Sequence, residues 1–120
     1  MDFSFFAHME RIDKSQSQIR LYEEFIELCM IAEKGGFSTI WNGEHHGMNF
    51  TIAPNPFTNL VDLSHHTNSI KLGTATIVAP FWHPIKLAEE TAMADIITKG
   101  RLQLGLARGA YSFEYDRLAD

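Results

Sequence analysis

The sequence predicts an α/β fold with parallel strands, the first four or so βα units of a (β/α)8 barrel. Three observations lead there. Strand-like and helix-like segments alternate, with strands opening near residues 3, 37, 70 and 102, a spacing of about 33 residues that fits βα units. Each strand leaves its unusual residues at its C-terminal end: His8, then Glu44, His45 and His46, then Trp82 and His83, then Arg108. A barrel gathers such ends on one rim, where enzymes of that fold build their sites. Finally, Ala7-His8-Met9-Glu10 stands where a dinucleotide-binding open sheet would place a glycine-rich phosphate loop. The doubly wound open sheet is the competing architecture.

The elements follow in order. Phe3-Ser4-Phe5-Phe6-Ala7 is short and aromatic-rich, as a first strand is. Ser15 to Gln18 give polar start signals for a helix whose apolar face carries Leu21, Phe25, Leu28, Cys29 and Ala32, and Gly35-Gly36 ends it. Phe37 to Trp41 reads as the second strand and Gly47 to Pro56 as a loop. A helix over about residues 57–66 and a β-branched strand over 70–78 come next. Pro80 and Pro84 bracket a turn, and Pro84 opens a helix over about 85–98 that Gly100 caps. Leu102 to Ala107 is the fourth strand, and residues 115–120 start another helix-like stretch. A complete barrel takes around 250 residues. The 120 residues are therefore expected to be the N-terminal portion of a single longer barrel domain, in preference to copies that cover each other's sheet edges.

Composition narrows the function classes. A 45% hydrophobic and 21% charged chain is globular in balance, so disorder is not the default. The net charge of -5, without a Lys/Arg-rich run, argues against nucleic acid and against a polybasic membrane anchor. No apolar run reaches the roughly 18 residues of a membrane span, and Met1-Asp2-Phe3 lacks a signal-peptide n-region. The single cysteine, Cys29, sits in a helical pattern and reads as a small buried hydrophobe; a cytoplasmic location is expected.

The chemistry-bearing stretch is Glu44-His45-His46, directly after an apolar strand. A carboxylate beside two imidazoles suits proton chemistry near neutral pH, and the competing reading is a solvated loop with incidental histidines. No metal site is expected, because neighbouring side chains on an extended chain point apart and no spaced ligand pattern is present. Arg108, between Gly105 and Gly109, suits bidentate phosphate binding or a rim salt bridge. Trp82 and Phe81 suit a pocket wall or a rim cover. His83 suits the turn before Pro84, and His65 and His66 suit the helix end.

Several pieces together resemble the luciferase-like, flavin-dependent monooxygenases, in the style of the alkanal monooxygenase α-subunit. These are Trp41-x-x-Glu44-His45-His46, Ile70-Lys71-Leu72-Gly73-Thr74-Ala75, His83-Pro84 with Ala88-Glu89, and Gly100-Arg101-Leu102 leading to Gly105-x-x-Arg108-Gly109. Their order and separation match over essentially the whole chain. The resemblance implies a TIM barrel that uses reduced FMN and O2 to oxidise a small, aldehyde-like organic substrate, with a flavin reductase supplying the reduced flavin. It places the catalytic role on His45, with Glu44, His46 and Trp82 as support or substrate wall. It places the flavin phosphate on Arg108 and a non-proline cis peptide between Ala75 and Thr76 beneath the flavin ring. It also implies a homo- or heterodimer through the helices near 57–66 and 85–98. Ala107 stands where bacterial luciferase has a reactive cysteine, so light emission is not carried over. Two alternatives share the fold: a non-catalytic flavin-binding or subunit-interaction protein, and a deazaflavin-dependent oxidoreductase.

Overall fold

The computed structural model describes residues 1–118. Strands β1 (Ser4–Phe6), β2 (Thr39–Asn42), β3 (Lys71–Thr74) and β5 (Leu102–Gln103) form one parallel sheet in the order β1-β2-β3-β5. Helices α1 (Gln18–Lys34), α2 (Pro56–Ser64) and α3 (Pro84–Ile97) are the crossovers between them. Two short strands, β4 (Ile77–Val78) and β6 (Leu106–Ala107), pair separately and in parallel, and a seven-residue helix, α4 (Ser112–Leu118), ends the described chain. This is the α/β, parallel-stranded partial barrel that the alternation predicts.

The helices begin where the capping chemistry allows. The Ser17 side chain accepts the Arg20 amide at the start of α1, the Asn55 side chain accepts the Phe57 amide before α2, and His83 Nδ1 accepts the Ile85 amide before α3. His83 is thus a helix cap. The buried stripe of α1 is Phe25, Ile26, Cys29 and Ala32. Leu28, expected on that face, is half exposed; Ile26 takes the place beside Phe25, because the core contacts fall on the turn-to-turn row 25, 26, 29, 32. Phe25, Ile26 and Cys29 of that stripe share one core with Ile40 and Leu72 of the sheet and with Leu60 and Leu63 of α2. Each of these four aliphatics is fully buried, contributing about 1.5–3 kcal/mol. Burial pushes the Cys29 thiol up to about 12, so it stays a neutral packing group.

The third and fourth strands differ from the continuous runs expected at 70–78 and 102–107. Both break, at facing positions. The third breaks after Thr74, at the cis peptide Ala75–Thr76, and the fourth breaks at Leu104-Gly105. Thr74 and Gly105 interlock across the gap: Thr74 Oγ1 donates to the Gly105 carbonyl and accepts the Gly105 amide, each at 2.9 Å. A side chain on Gly105 would collide with the Thr74 carbonyl oxygen, so glycine is required by close approach. Pairing resumes as Ile77 opposite Leu106 and Val78 opposite Ala107. The double break carries the strand ends round to face the residues after β2.

Candidate functional site

The site lies beyond the C-terminal ends of β2, β3 and β5. Asn42, the last residue of β2, receives the Ala75 amide on its carbonyl and anchors the turn into Gly43. Gly43 passes close to its neighbours: a Cβ there would sit 2.7 Å from the His8 ring and 3.0 Å from the Ala75 carbonyl oxygen. The small residue lets Glu44, His45 and His46 reach in towards the strand ends.

Glu44 is buried, and both its oxygens accept hydrogen bonds. Val78 N–H donates to Oε2 at 2.7 Å, the Trp82 indole N–H reaches both oxygens at 3.0 Å, and His46 Nε2 donates to Oε1 at 2.6 Å. Glu44 therefore ties the turn after β2 to β4 and to the turn before α3. A second buried carboxylate, Glu114 of α4, lies on the other side. It accepts the His46 backbone N–H at 2.7 Å, and its two oxygens each stand 3.3 Å from His45 Nδ1. Arg117 holds α4 in place by donating to the Gly47 carbonyl at 2.8 Å while its guanidinium lies over the Phe113 ring.

Aromatic rings surround His45. His8 is 5.2 Å away between centroids, and Phe50 and Tyr111 are each 5.6 Å away. Burial, followed by the nearby His45, holds the His8 imidazole below its ordinary pKa of 6.5, against a weaker upward pull from Glu10. His8 Nδ1 is buried without a hydrogen-bond partner among the described residues.

A cavity of about 270 Å³ opens between these groups, walled by His45, Glu44, Glu114, Ala75, Thr76 and the Ala107–Ala110 turn with Arg108. Of the residues singled out from sequence, His45, Glu44, Ala75, Thr76 and Arg108 meet here. His46 and Trp82 stand behind the wall and reach it through Glu44. The Arg108 side chain is exposed and makes no hydrogen bond or ion pair among the described residues, so its guanidinium is free for an anionic group. That donor, the open wall of Ala75, Thr76 and Gly109, and the imidazole opposite fit the phosphate end and one edge of a flavin nucleotide.

A cavity of about 420 Å³ lies at the other end of the strands, beside Ser64, Thr67 and Arg101. The Arg101 guanidinium is already used there by the Ser64 and Ile70 carbonyls and the Thr67 hydroxyl, which marks that end as structural. Among the described residues no cluster of three or more His, Cys, Asp or Glu is placed to hold a metal ion, and no helix is long and apolar enough to cross a membrane.

Sequence reasoning misses Glu114 and Tyr111, marks His8 only as a strand-end residue, and marks Phe50 only as part of a loop, with Met48 and Asn49, where a substrate lid could lie. Glu114 lies 69 positions from His45, in a short helix whose pattern resembles any solvated helix start. No local signal points to it.

A family model described as luciferase-like monooxygenase matches residues 1–120. The chain belongs to the luciferase-like monooxygenase family. Within it, the chain is 64% identical over 118 residues to the flavin-dependent trigonelline monooxygenase, oxygenase component, of Acinetobacter baylyi, covering 98% of this chain and 33% of that protein. It is 34% identical over 99 residues to the alkanal monooxygenase alpha chain of Photorhabdus laumondii, covering 82% of this chain and 28% of that protein. Among solved structures, the monooxygenase RslO1 from Streptomyces bottropensis superposes with a TM-score of 0.90 at 28% identity, over 98% of this chain and 36% of that one. The chain thus spans about a third of the length of the family members it matches.

Proposed function

We propose that this chain is the N-terminal portion of a single barrel domain, the oxygenase component of a flavin-dependent monooxygenase that takes reduced FMN from a separate reductase. One observation carries the reading: His45, Ala75-Thr76 and Arg108, which lie on three separate strand ends, line one cavity. Arg108 binds the FMN phosphate by a charge-assisted pair. Ala75 and Thr76 give a flat wall against which the flavin ring rests. His45 faces that wall and holds or moves a proton at its imidazole. Phe50 and Tyr111 flank it and exclude water. Reduced flavin, when bound, supplies the electrons for oxygen activation. The exposed Ile85, Met93 and Ile96 of α3 offer the apolar surface of a dimer contact.

For the substrate, the 64% identity to a trigonelline monooxygenase favours an N-methylpyridinium carboxylate of the trigonelline kind over the aldehyde expected from sequence. The rings of Phe50 and Tyr111 beside His45 suit a flat cationic heterocycle. The test is oxygen uptake by the intact protein with a reductase, FMN, and either trigonelline or a long-chain aldehyde. Substrate-dependent uptake and product with trigonelline alone is the expected result. His45→Ala should lower product formation by about 10²-fold or more, the scale of a lost general acid or base. Product from the aldehyde alone would overturn the substrate, and a protein that titrates with a deazaflavin and consumes no oxygen with FMN would overturn the cofactor.

A further inference from the structure

Two carboxylates serve two adjacent histidines, and their assignments cross. Glu44 is bonded to the His46 ring, whereas Glu114, from the far end of the described chain, is bonded to the His45 ring. We propose that Glu114 is a positioning residue for His45: it holds the ring in the tautomer with the proton on Nδ1 and leaves Nε2 as the free lone pair. The inference rests on His45 being the acting group of the site.

The hydrogen-bond geometry determines the tautomer. An ionised carboxylate only accepts, so both Glu114 oxygens, 3.3 Å from Nδ1, require the proton to be on Nδ1. Nε2 of His45 has no partner among the described residues and belongs to a ring that lines the cavity. The ring is also fixed in angle, since His8, Phe50 and Tyr111 pack on it from three directions. Glu114 itself is 1% exposed and cannot swing away, because Oε1 accepts the His46 N–H at 2.7 Å and Arg117 holds the same helix to Gly47. The three parts form a chain of constraint from helix to carboxylate to imidazole.

Glu114→Gln separates this role from a structural one. Its amide oxygen keeps the short bond to the His46 N–H, so the clasp between α4 and the turn persists. The amide NH2 then takes the place of Oε2 opposite His45 Nδ1, and it can only donate. A donor opposite Nδ1 favours the tautomer with the proton on Nε2, which removes the lone pair from the site. In serine hydrolase triads the same carboxylate-to-amide change leaves the geometry intact and lowers kcat about 10⁴-fold through the wrong tautomer.

The experiment is nitrogen-15 NMR of the histidine rings in the intact, flavin-free protein at mildly alkaline pH, with His45→Gln used to assign the signals. In the unsubstituted protein His45 Nδ1 should show the protonated, pyrrole-type shift and Nε2 the pyridine-type shift. In Glu114→Gln the two should exchange, and turnover should fall about 10²–10³-fold, within the range of a lost general acid or base, with FMN affinity changed less than threefold. Glu114→Asp, which keeps a carboxylate, should keep the Nδ1–H tautomer and recover part of the rate. An Nε2–H tautomer in the unsubstituted protein overturns the proposal, and so does an unchanged tautomer in Glu114→Gln. Because the tautomer is read without flavin or substrate, a protein that lacks monooxygenase activity altogether would overturn the proposed function and leave this assignment to the NMR result.

Discussion

Glu44 and Glu114 are both buried at the same rim, and each is paired with one of two adjacent histidines, yet they hold different things. Glu44 receives donors from β4, from the indole of Trp82 and from the His46 ring, so it joins three separate pieces of the chain. Among the described residues Glu114 receives only His45 and the amide next to it. The one is an anchor for the fold at the rim; the other is bound to the group that faces the cavity. Side-chain type and burial do not distinguish them; the identity of the donors does. The difference should therefore be visible as a division between stability and turnover.

The largest effect expected from breaking that contrast is on stability, at Glu44. Glu44→Ala leaves the Val78 amide, the Trp82 indole and the His46 ring without their acceptor in a buried setting, and should cost about 3–5 kcal/mol. The denaturant midpoint of the intact protein reads this directly. A loss under about 1 kcal/mol, small enough for an exposed pair, would remove the distinction between anchor and positioning group. Trp82→Phe is the milder version. It deletes the indole N–H while keeping a ring against Phe57, whose centroid is 5.7 Å from Trp82. A loss of about 1.5–3 kcal/mol, the worth of one hydrogen bond to a charged group, is expected in the same measurement, with turnover nearly retained. A larger loss of turnover than of stability would place Trp82 in the site instead of behind it.

The same contrast shows what could be read from sequence and why. Glu44, His45 and His46 lie in one run behind a strand, and the strand itself puts them at the rim, so local pattern suffices. Arg108 is legible for the same reason. Glu114 is not, because its partner is 69 residues away and the docking of α4 depends on Arg117, Gly47 and the turn between them. The broken strands fall between these cases. β-branched composition makes 70–78 look continuous, and only the tertiary contact of Thr74 with Gly105 shows where the sheet divides. Leu28 fails for a smaller reason: three- and four-residue spacing admits two adjacent stripes on α1, and the sheet selects the one containing Ile26.

His8 completes the comparison: it touches His45, and no carboxylate among the described residues is bonded to it. Its Nδ1 is buried and unpaired among the described residues, and burial with the adjacent His45 disfavours its charged form, so its folded-state pKa lies below 6.5. Below about 6.5 the unfolded chain takes up a proton at this position that the folded chain still refuses. The unfolded state then binds more protons, and stability falls as pH decreases through that window, until the folded-state pKa is passed and the slope from His8 vanishes. His8→Asn removes the titrating ring while leaving a polar side chain beside Gly43. The expected outcome is a smaller loss of denaturant midpoint between pH 7 and pH 5.5 in the variant than in the unsubstituted protein. Taking the difference between the two pH series isolates the contribution of His8. An identical pH dependence in the two proteins would mean that His8 finds a partner for its proton in solution. The contrast between carboxylate-served and unserved histidines at this rim would then fail at its weakest member, with the smallest energy at stake.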